Sequence, residues 1–357
     1  MKAAPPLVLV EARMARRRPA TGTARYIDEL RAAIDAVAPS DLRIRWLLGP
    51  PGVPRRGRFT GVINAALDVL WMHVAVPIVA LASQASLIHG TFNWLPVLSP
   101  TSTSVTIQDL AWERMPEAFE PGFRRFATRF TRMAARRASI VVVPSRSTGD
   151  DVTAFYGTDP SRIRVAPLAP TRHGSANVAR EPFILAVGAN EPRKRIVELI
   201  RAHRRYFEAA GPGPESCRLI VVGDAGGLDG ELRAAAGPGC ELRGVVSEPE
   251  LASLYERAAL MVYPSAYEGF GLPILEAMSY GCPVLTARNS SLPEAGGDVA
   301  LYLDDMSPDA FARCLGEVLA SRTALVELGE RSREHAATFT WERTARATLD
   351  AMREALR

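Results

Sequence analysis

Short apolar runs of strand length recur along this chain and are separated by stretches of helical periodicity. Runs at residues 7–10, 44–48, 105–107, 140–143 and 163–165 are followed by others at 183–188, 219–223, 260–263 and 283–286. A helical pattern covers residues 23–37, and another covers the C-terminal 341–357. Near-continuous Val, Ile and Leu in a strand signals burial on both faces, as in a parallel sheet flanked by helices. Strand and helix in alternation place the chain in the α/β class, with doubly wound sheets. Its 357 residues suffice for two domains. The proline-rich stretch 166–182 lacks apolar periodicity and is the best linker. Two Rossmann-like domains facing a cleft are therefore expected, with ligands at the carboxyl ends of the strands.

The unit at 260–286 carries the most chemistry. Leu260-Met261-Val262-Tyr263 is a strand stopped by Pro264. Pro273 fits the first helical position, where its missing N–H is harmless, and Gly281 fits the position just past the helix. Between them runs Glu268-Gly269-Phe270-Gly271-Leu272. Gly269 and Gly271 allow close approach of a ligand to the backbone. The N–H groups and dipole of the helix start favour an anion. Glu276, placed in the first turn, leans toward the same ligand because helical side chains tilt N-terminally. A carboxylate accepts two hydrogen bonds side by side, which suits the vicinal diol of a ribose. Glu268, on the loop, can accept from hydroxyls of a second sugar. An anion cradle with two such carboxylates describes a nucleotide-sugar site. A well-capped helix start is the plainer account of Glu276.

This segment resembles the Glu-x7-Glu motif of retaining GT-B glycosyltransferases of family GT4, and the likeness extends along most of the chain. Thr21-Gly22-Thr23-Ala24-Arg25-Tyr26 resembles the family's Gly-x-x-Arg-Tyr helix entry, and Thr106-Ile107-Gln108-Asp109-Leu110 its Thr-Ile-His-Asp-Leu. Val143-Pro144-Ser145-Arg146-Ser147 is similar to the mid-chain Ser-x-x-Ser element. Glu191-Pro192-Arg193-Lys194 matches a segment of a large subgroup rich in mannosyltransferases of bacterial surface polysaccharides. Residues 291–298 and Phe339-Thr340-Trp341-Glu342 match later landmarks.

The resemblance implies a division of labour. Residues 1–170 would bind the acceptor, 181–340 would bind the nucleotide sugar, and the helix at 341–357 would pack back on the first domain. Arg193 and Lys194 would hold the donor diphosphate, where a planar guanidinium and a point ammonium suit phosphate oxygens. Gly22 would face the donor phosphates, although a lone glycine before a helix is also an ordinary turn residue. The nucleobase would pack near Val246, where Ser247 doubles as an N-cap. Gln108 stands where much of the family has His. It can donate and accept hydrogen bonds but cannot titrate near neutral pH. Asp109 would orient Gln108, bind the acceptor, or serve the structure. The expected donor is GDP-mannose or a UDP-hexose, and the expected acceptor a glycan or a lipid-linked sugar. A silent nucleotide-sugar binder and a GT-B epimerase are the alternatives.

Composition narrows this further. There is no Asp-x-Asp, and the five histidines fall at no ligand spacing, so no cofactor or catalytic metal is expected. The four cysteines form no Cys-x-x-Cys and read as free thiols of a reducing compartment. No signal peptide is evident, so a cytoplasmic location is expected. The first 170 residues hold 22 Lys and Arg against 13 Asp and Glu, and the remainder is acidic. No nucleic-acid partner is expected. Residues 62–82 are apolar but interrupted by Asp68, His73 and Pro77, and read as a buried or surface-docking helix, not a span. Residues 123–137 fit a helix with Phe123, Phe126, Phe130 and Met133 on one stripe and Arg125, Arg129, Arg132 and Arg136 on another. Either the apolar stripe is core and the arginines are solvated, or this face, with Arg55, Arg56 and Arg58, meets an anionic membrane on its inner, cytoplasmic side.

Overall fold

The computed structural model describes residues 4–17, 21–53, 60–171, 174, 178–188, 191–211, 213, 216–224 and 229–357. Arg55, Arg56 and Arg58 lie outside the described residues. The chain divides into two compact units, Met1–Leu168 with Thr340–Arg357, and Ala169–Phe339.

The first unit is built on six parallel strands: β1 Leu7–Glu11, β2 Arg43–Leu47, β3 Leu87–Gly90, β4 Ser102–Thr106, β5 Ile140–Val143 and β6 Ile163–Val165. Their order in the sheet is β2-β1-β3-β4-β5-β6, so the winding reverses between β1 and β3. One face of the sheet packs Leu9, Leu47 and Ile88 against Val76 and Ala80. The same face, farther along the sheet, packs Val105, Val141 and Val143 against Ala127, Ala134, Ala138 and Tyr156. Helix Trp341–Ala355 belongs to this unit. It buries Ala345, Leu349, Met352 and Ala355, one stripe at helical spacing. Its Trp341 ring lies 6.3 Å from that of Tyr26, and Arg353 pairs with Asp41 at 2.7 Å.

Two elements of this unit differ from expectation. The strand β3 escaped the sequence because it carries a histidine. His89 is buried between Ser104 Oγ at 2.9 Å and Thr106 Oγ1 at 3.2 Å, and Thr106 Oγ1 also lies 3.2 Å from Tyr26 OH. In helix Pro121–Arg137 the buried stripe is not the phenylalanines but Ala127, Thr131, Ala134 and Ala135. Small residues let the helix lie close on the sheet. The larger Phe126 and Phe130 turn sideways onto Trp94, at centroid distances of 4.9 and 5.7 Å.

The second unit has its own parallel sheet: β7 Glu181–Val187, β8 Arg218–Val222, β9 Cys240–Gly244, β10 Ala258–Tyr263, β11 Val284–Ala287 and β12 Leu301–Leu303. The order β12-β11-β10-β7-β8-β9 reverses between β10 and β7. That is the doubly wound arrangement whose crevice opens beside the carboxyl ends of the two central strands. Helix Ile196–Ala210 covers one face with Ile196, Leu199, Ile200 and Tyr206.

Burial pushes His89 from 6.5 down to about 3. The unfolded chain takes up this proton below about pH 6.5, and the folded one does not until about pH 3. Its contribution to stability is therefore complete above pH 6.5 and lost as pH falls toward 3. We expect urea unfolding of wild type to lose about 3 kcal/mol relative to His89→Gln between pH 7 and about pH 4. A difference independent of pH would show that His89 is not held neutral.

Candidate active site

Arg193, Lys194 and Glu268 meet at the reversal point of the second unit, beside Gly269, Phe270 and Gly271, whereas Val246 follows the edge strand β9. The strand β7 ends at Val187 and is followed by Gly188, whose φ of +93° turns the chain off the sheet. A short 3-10 turn, Pro192–Lys194, comes next, and then Arg195 at φ +53°, in the left-handed region where a side chain is rarely held. This turn carries Arg193 and Lys194 back over the end of β10. The Ala266 N–H ties it there by donating to the Arg193 carbonyl at 2.7 Å, and Ser265 Oγ lies 3.2 Å from the same carbonyl oxygen.

Glu268 is the centre of the arrangement, and it is buried. Its Oε1 accepts from Lys194 Nζ at 2.6 Å, Tyr263 OH at 2.8 Å and Ser265 Oγ at 2.8 Å, and pairs with Arg193 Nη1 at 2.8 Å. Arg193 also donates to the Tyr267 carbonyl at 2.8 Å and reaches Glu191 at 2.5 Å. Lys194 donates to Tyr263 OH, and its Nζ lies 4.7 Å from that ring's centroid. Lys194 is one of only two lysines in the chain; arginine supplies nearly all the other cations. A compact ammonium fits a site where three other donors already share one oxygen.

Burial alone would raise the Glu268 pKa, but the Lys194 and Arg193 charges outweigh it and bring it from 4.5 down to about 2. Burial, and then the Glu268 charge, push the Tyr263 phenol well above its usual value. It therefore keeps its proton and remains a donor to the carboxylate. The backbone of Glu268 is fixed as well. Its N–H donates to Ser290 Oγ at 3.1 Å, and its carbonyl accepts from Ser291 Oγ at 2.8 Å.

Gly269, Phe270 and Gly271 continue the loop, and all three are buried. Gly271 adopts φ +100°, and a Cβ there would lie 3.1 Å from Leu292. The Phe270 ring turns away, edge-on to Phe339 at 6.0 Å, so this residue can offer a ligand only its backbone. Helix Leu272–Ser279 starts one residue earlier than the sequence suggested. Leu272 takes the first position and Pro273 the second, which still needs no N–H. Glu276 is consequently the fifth helical residue and lies beyond the first turn, where its Oε2 accepts from Tyr255 OH at 3.3 Å. Val246 is half-buried just past β9, on the same carboxyl edge of the sheet, and Ser247 caps the next helix through Glu250 N.

The remaining expected residues belong to the first unit. Gly22 opens helix Gly22–Val37 behind the Thr21 cap, and a Cβ there would meet nothing within 4 Å. The Gln108 N–H donates to Asn93 Oδ1 at 2.9 Å and its Nε2 lies 3.4 Å from the Thr91 carbonyl. The Asp109 carboxylate accepts from Ala111 N at 3.1 Å, holding the start of a short helix. Tyr263 and Ser265 were missed as site residues, because one read as a strand end and the other as part of a turn. Among the described residues, no group of three or more His, Cys, Asp or Glu is placed to hold a metal.

Removing the phenol while keeping the ring isolates the role of Tyr263. Tyr263→Phe should lower kcat/KM by about tenfold to a hundredfold, the value of one hydrogen bond to a charged group, and lower the melting temperature by a few degrees. The Glu268 ion cluster stabilises the fold above about pH 4.5 and loses that contribution as pH falls through about 2. Glu268→Gln should therefore differ from wild type by about 3 kcal/mol at neutral pH and converge with it in strong acid. Equal acid sensitivity of the two proteins would refute the buried-carboxylate assignment.

Comparison with known proteins bears on this geometry. The family described as glycosyl transferases group 1 matches residues 181–321. An O-antigen chain mannosyltransferase B of Escherichia coli is 35% identical over 74% of this chain and 73% of its own. A D-inositol 3-phosphate glycosyltransferase of Rhodococcus opacus is 27% identical over 75% of this chain, which spans 66% of that protein. Among solved structures, a sucrose-phosphate synthase of Thermosynechococcus elongatus matches with a TM-score of 0.74 at 20% identity, covering 98% of both chains. An Anabaena protein in complex with UDP and glucose matches at 0.66 and 15% identity, covering 97% of this chain and 99% of its own. The chain is an enzyme of the group 1 glycosyltransferases and belongs to family GT4, with the GT-B fold.

Proposed function

We propose that the chain transfers a hexose, mannose foremost, from a nucleoside-diphosphate sugar to an acceptor hydroxyl, with retention at the anomeric carbon, in the synthesis of a surface glycan. The observation that carries this reading is the convergence of Arg193, Lys194, Tyr263 and Ser265 on one oxygen of buried Glu268. The donor diphosphate competes with Glu268 for the two cations. When it takes them, negative charge building on the leaving diphosphate meets fixed cations, which lowers the barrier. Glu268, still held by Tyr263 and Ser265, then faces the hexose with its counter-charges withdrawn. It can accept sugar hydroxyls and favour positive charge at the anomeric carbon. Glu276 binds the ribose from the adjoining helix, and backbone near Val246 receives the base. Gln108 and Asp109 serve the acceptor side from the first unit.

The mannose assignment is supported by the E. coli relative's name. A UDP-hexose is the second reading, and the Anabaena neighbour's UDP and glucose favour it. On this reading no metal is required, and the acceptor is a glycan or lipid-linked sugar at the inner face of the cytoplasmic membrane.

A thermal-shift comparison of GDP-mannose and UDP-hexoses tests the donor, since a ligand of the folded state raises the melting temperature. With the effective donor, transfer should persist in EDTA. Arg193→Ala should slow it by on the order of a hundredfold or more. Activity lost to chelator and restored by manganese or magnesium would overturn the charge assignment. Glu276→Ala should weaken nucleotide binding by roughly 1.5–3 kcal/mol per bond lost. Unchanged nucleotide affinity would remove Glu276 from the ribose site.

A further inference from the structure

The helical stretch Thr60–Ala82 is built with its polarity reversed. It runs for 23 residues with a mean hydropathy of 1.9 over its most apolar window, and only 17% of that window is buried. Its polar side chains point into the unit. Asp68 Oδ1 pairs with Arg17 Nε at 3.0 Å and Arg13 Nε at 3.4 Å. Asn64 Oδ1 accepts from Arg17 Nη1 at 2.7 Å and from Val53 N at 2.9 Å. Trp71 Nε1 donates to Glu11 Oε1, at the end of β1, at 3.1 Å. Its outward side chains are aliphatic. Val62 is 68% exposed, Leu70 58%, Ile78 58% and Leu81 65%, with Ile63 and Val74 between them. Steps of seven, four, four and three place Ile63, Leu70, Val74, Ile78 and Leu81 on one face, with Val62 at its edge.

We infer that this face is an in-plane membrane anchor, seated in the interfacial region of an anionic bilayer. Three observations favour lipid over other occupants. First, the helix is held lengthwise. Met72, Val76 and Ala80 are buried, Val76 and Ala80 on Leu9 and Ile88, and the Asp68 and Asn64 contacts pin its first half, so it lies along the unit and does not cross a bilayer. A π-turn at Trp71–Ala75 accommodates Pro77 within this docked course, where an ordinary turn would press the ring on the His73 carbonyl.

Second, the exposed row carries none of the aromatic or hydrogen-bonding anchors on which protein interfaces depend. Third, a cationic groove adjoins it. His73 stacks on Phe130 of helix Pro121–Arg137 at 5.3 Å, and exposed Val97 and Leu98 join through the Val97 N–H to His73 Nδ1 at 3.1 Å. That helix carries Arg124, Arg125, Arg129, Arg132 and Arg136 along a groove of about 910 Å³. A second copy would set arginine against arginine, whereas anionic headgroups satisfy the groove while acyl chains receive the aliphatic row. The anchor deepens the acceptor half of the proposed function, because it holds the first unit where a lipid-linked acceptor lies, but it stands without the donor assignment.

The test is flotation with phosphatidylcholine vesicles containing increasing phosphatidylglycerol, at low and high salt. Wild type should float, more so with anionic lipid, and keep a salt-resistant fraction from the aliphatic row. Leu70→Glu/Val74→Glu/Ile78→Glu should cut partition by at least about tenfold. Arg125→Gln/Arg129→Gln/Arg132→Gln should lose the anionic preference and keep the salt-resistant part. Hydrogen exchange on wild type supplies a readout that needs no variant: vesicles should slow exchange across residues 60–82. Wild type left unfloated on strongly anionic vesicles at low salt overturns the anchor. So does a dimer in ultracentrifugation that the Glu triple variant makes monomeric, which assigns the face to a second copy. Nucleotide-sugar binding without flotation overturns the anchor alone; flotation without nucleotide-sugar binding overturns the proposed function alone.

Discussion

One buried oxygen organises the second unit. A carboxylate removed from water is costly unless cations and donors surround it, and Glu268 Oε1 has two cations and two hydroxyls within 2.8 Å. Those partners come from two connections that are far apart in sequence, after β7 and after β10. Holding them together requires the two strands to be neighbours, which is what the reversal in strand order achieves. Removing any one partner leaves charge buried with less compensation, so the loop, the turn and the helix start form one electrostatic unit. The left-handed Arg195 is the visible cost of folding the turn back over the strand end.

The first unit solves a different problem. One face of its sheet is covered side by side by helix Pro121–Arg137, whose small residues permit close approach, and by the stretch Thr60–Ala82, whose inner contacts join ion pairs to a short apolar row. Glu11, at the end of β1, receives the Arg13 guanidinium at 2.8 Å as well as the Trp71 indole. The apolar surface that an ordinary amphipathic helix would spend on the core is thereby left outside. The same economy shows in helix Pro121–Arg137, where alanines make the core and the aromatic side chains are displaced to the flank.

The fold was largely legible from the sequence because parallel strands buried on both faces leave near-continuous aliphatic runs. The strands that escaped lack that mark. The strand β3 carries His89, neutralised by burial, and Cys240-Glu241-Leu242-Arg243 lies at a sheet edge where charges are tolerated. The last strand has three residues. At the site, residue type carried Arg193, Lys194 and Glu268, since chemistry of that kind needs charge. Tyr263 was hidden because its ring satisfies a strand pattern while its hydroxyl does something no periodicity reports. Glu276 was misplaced within its helix because a proline is welcome at either of the first two positions. Of the two readings of 123–137, the one that put the phenylalanine stripe in the core weighed size above the closeness that alanine allows.

A carboxylate already saturated by its own cations changes how the pocket meets an anion. With Glu268 and Glu191 both paired to Arg193, and Lys194 on Glu268, a simple anion meets cations that already have carboxylate partners. On the proposed reading, a nucleotide sugar enters by trading places with Glu268, and must offer enough contacts elsewhere to make the trade favourable. On the same reading, once the sugar has left, the carboxylate is on hand to reclaim Arg193 and Lys194 and help the spent nucleotide out. Selectivity against simple anions and prompt turnover then share one source, an internal competitor covalently tethered within reach of the pocket it guards.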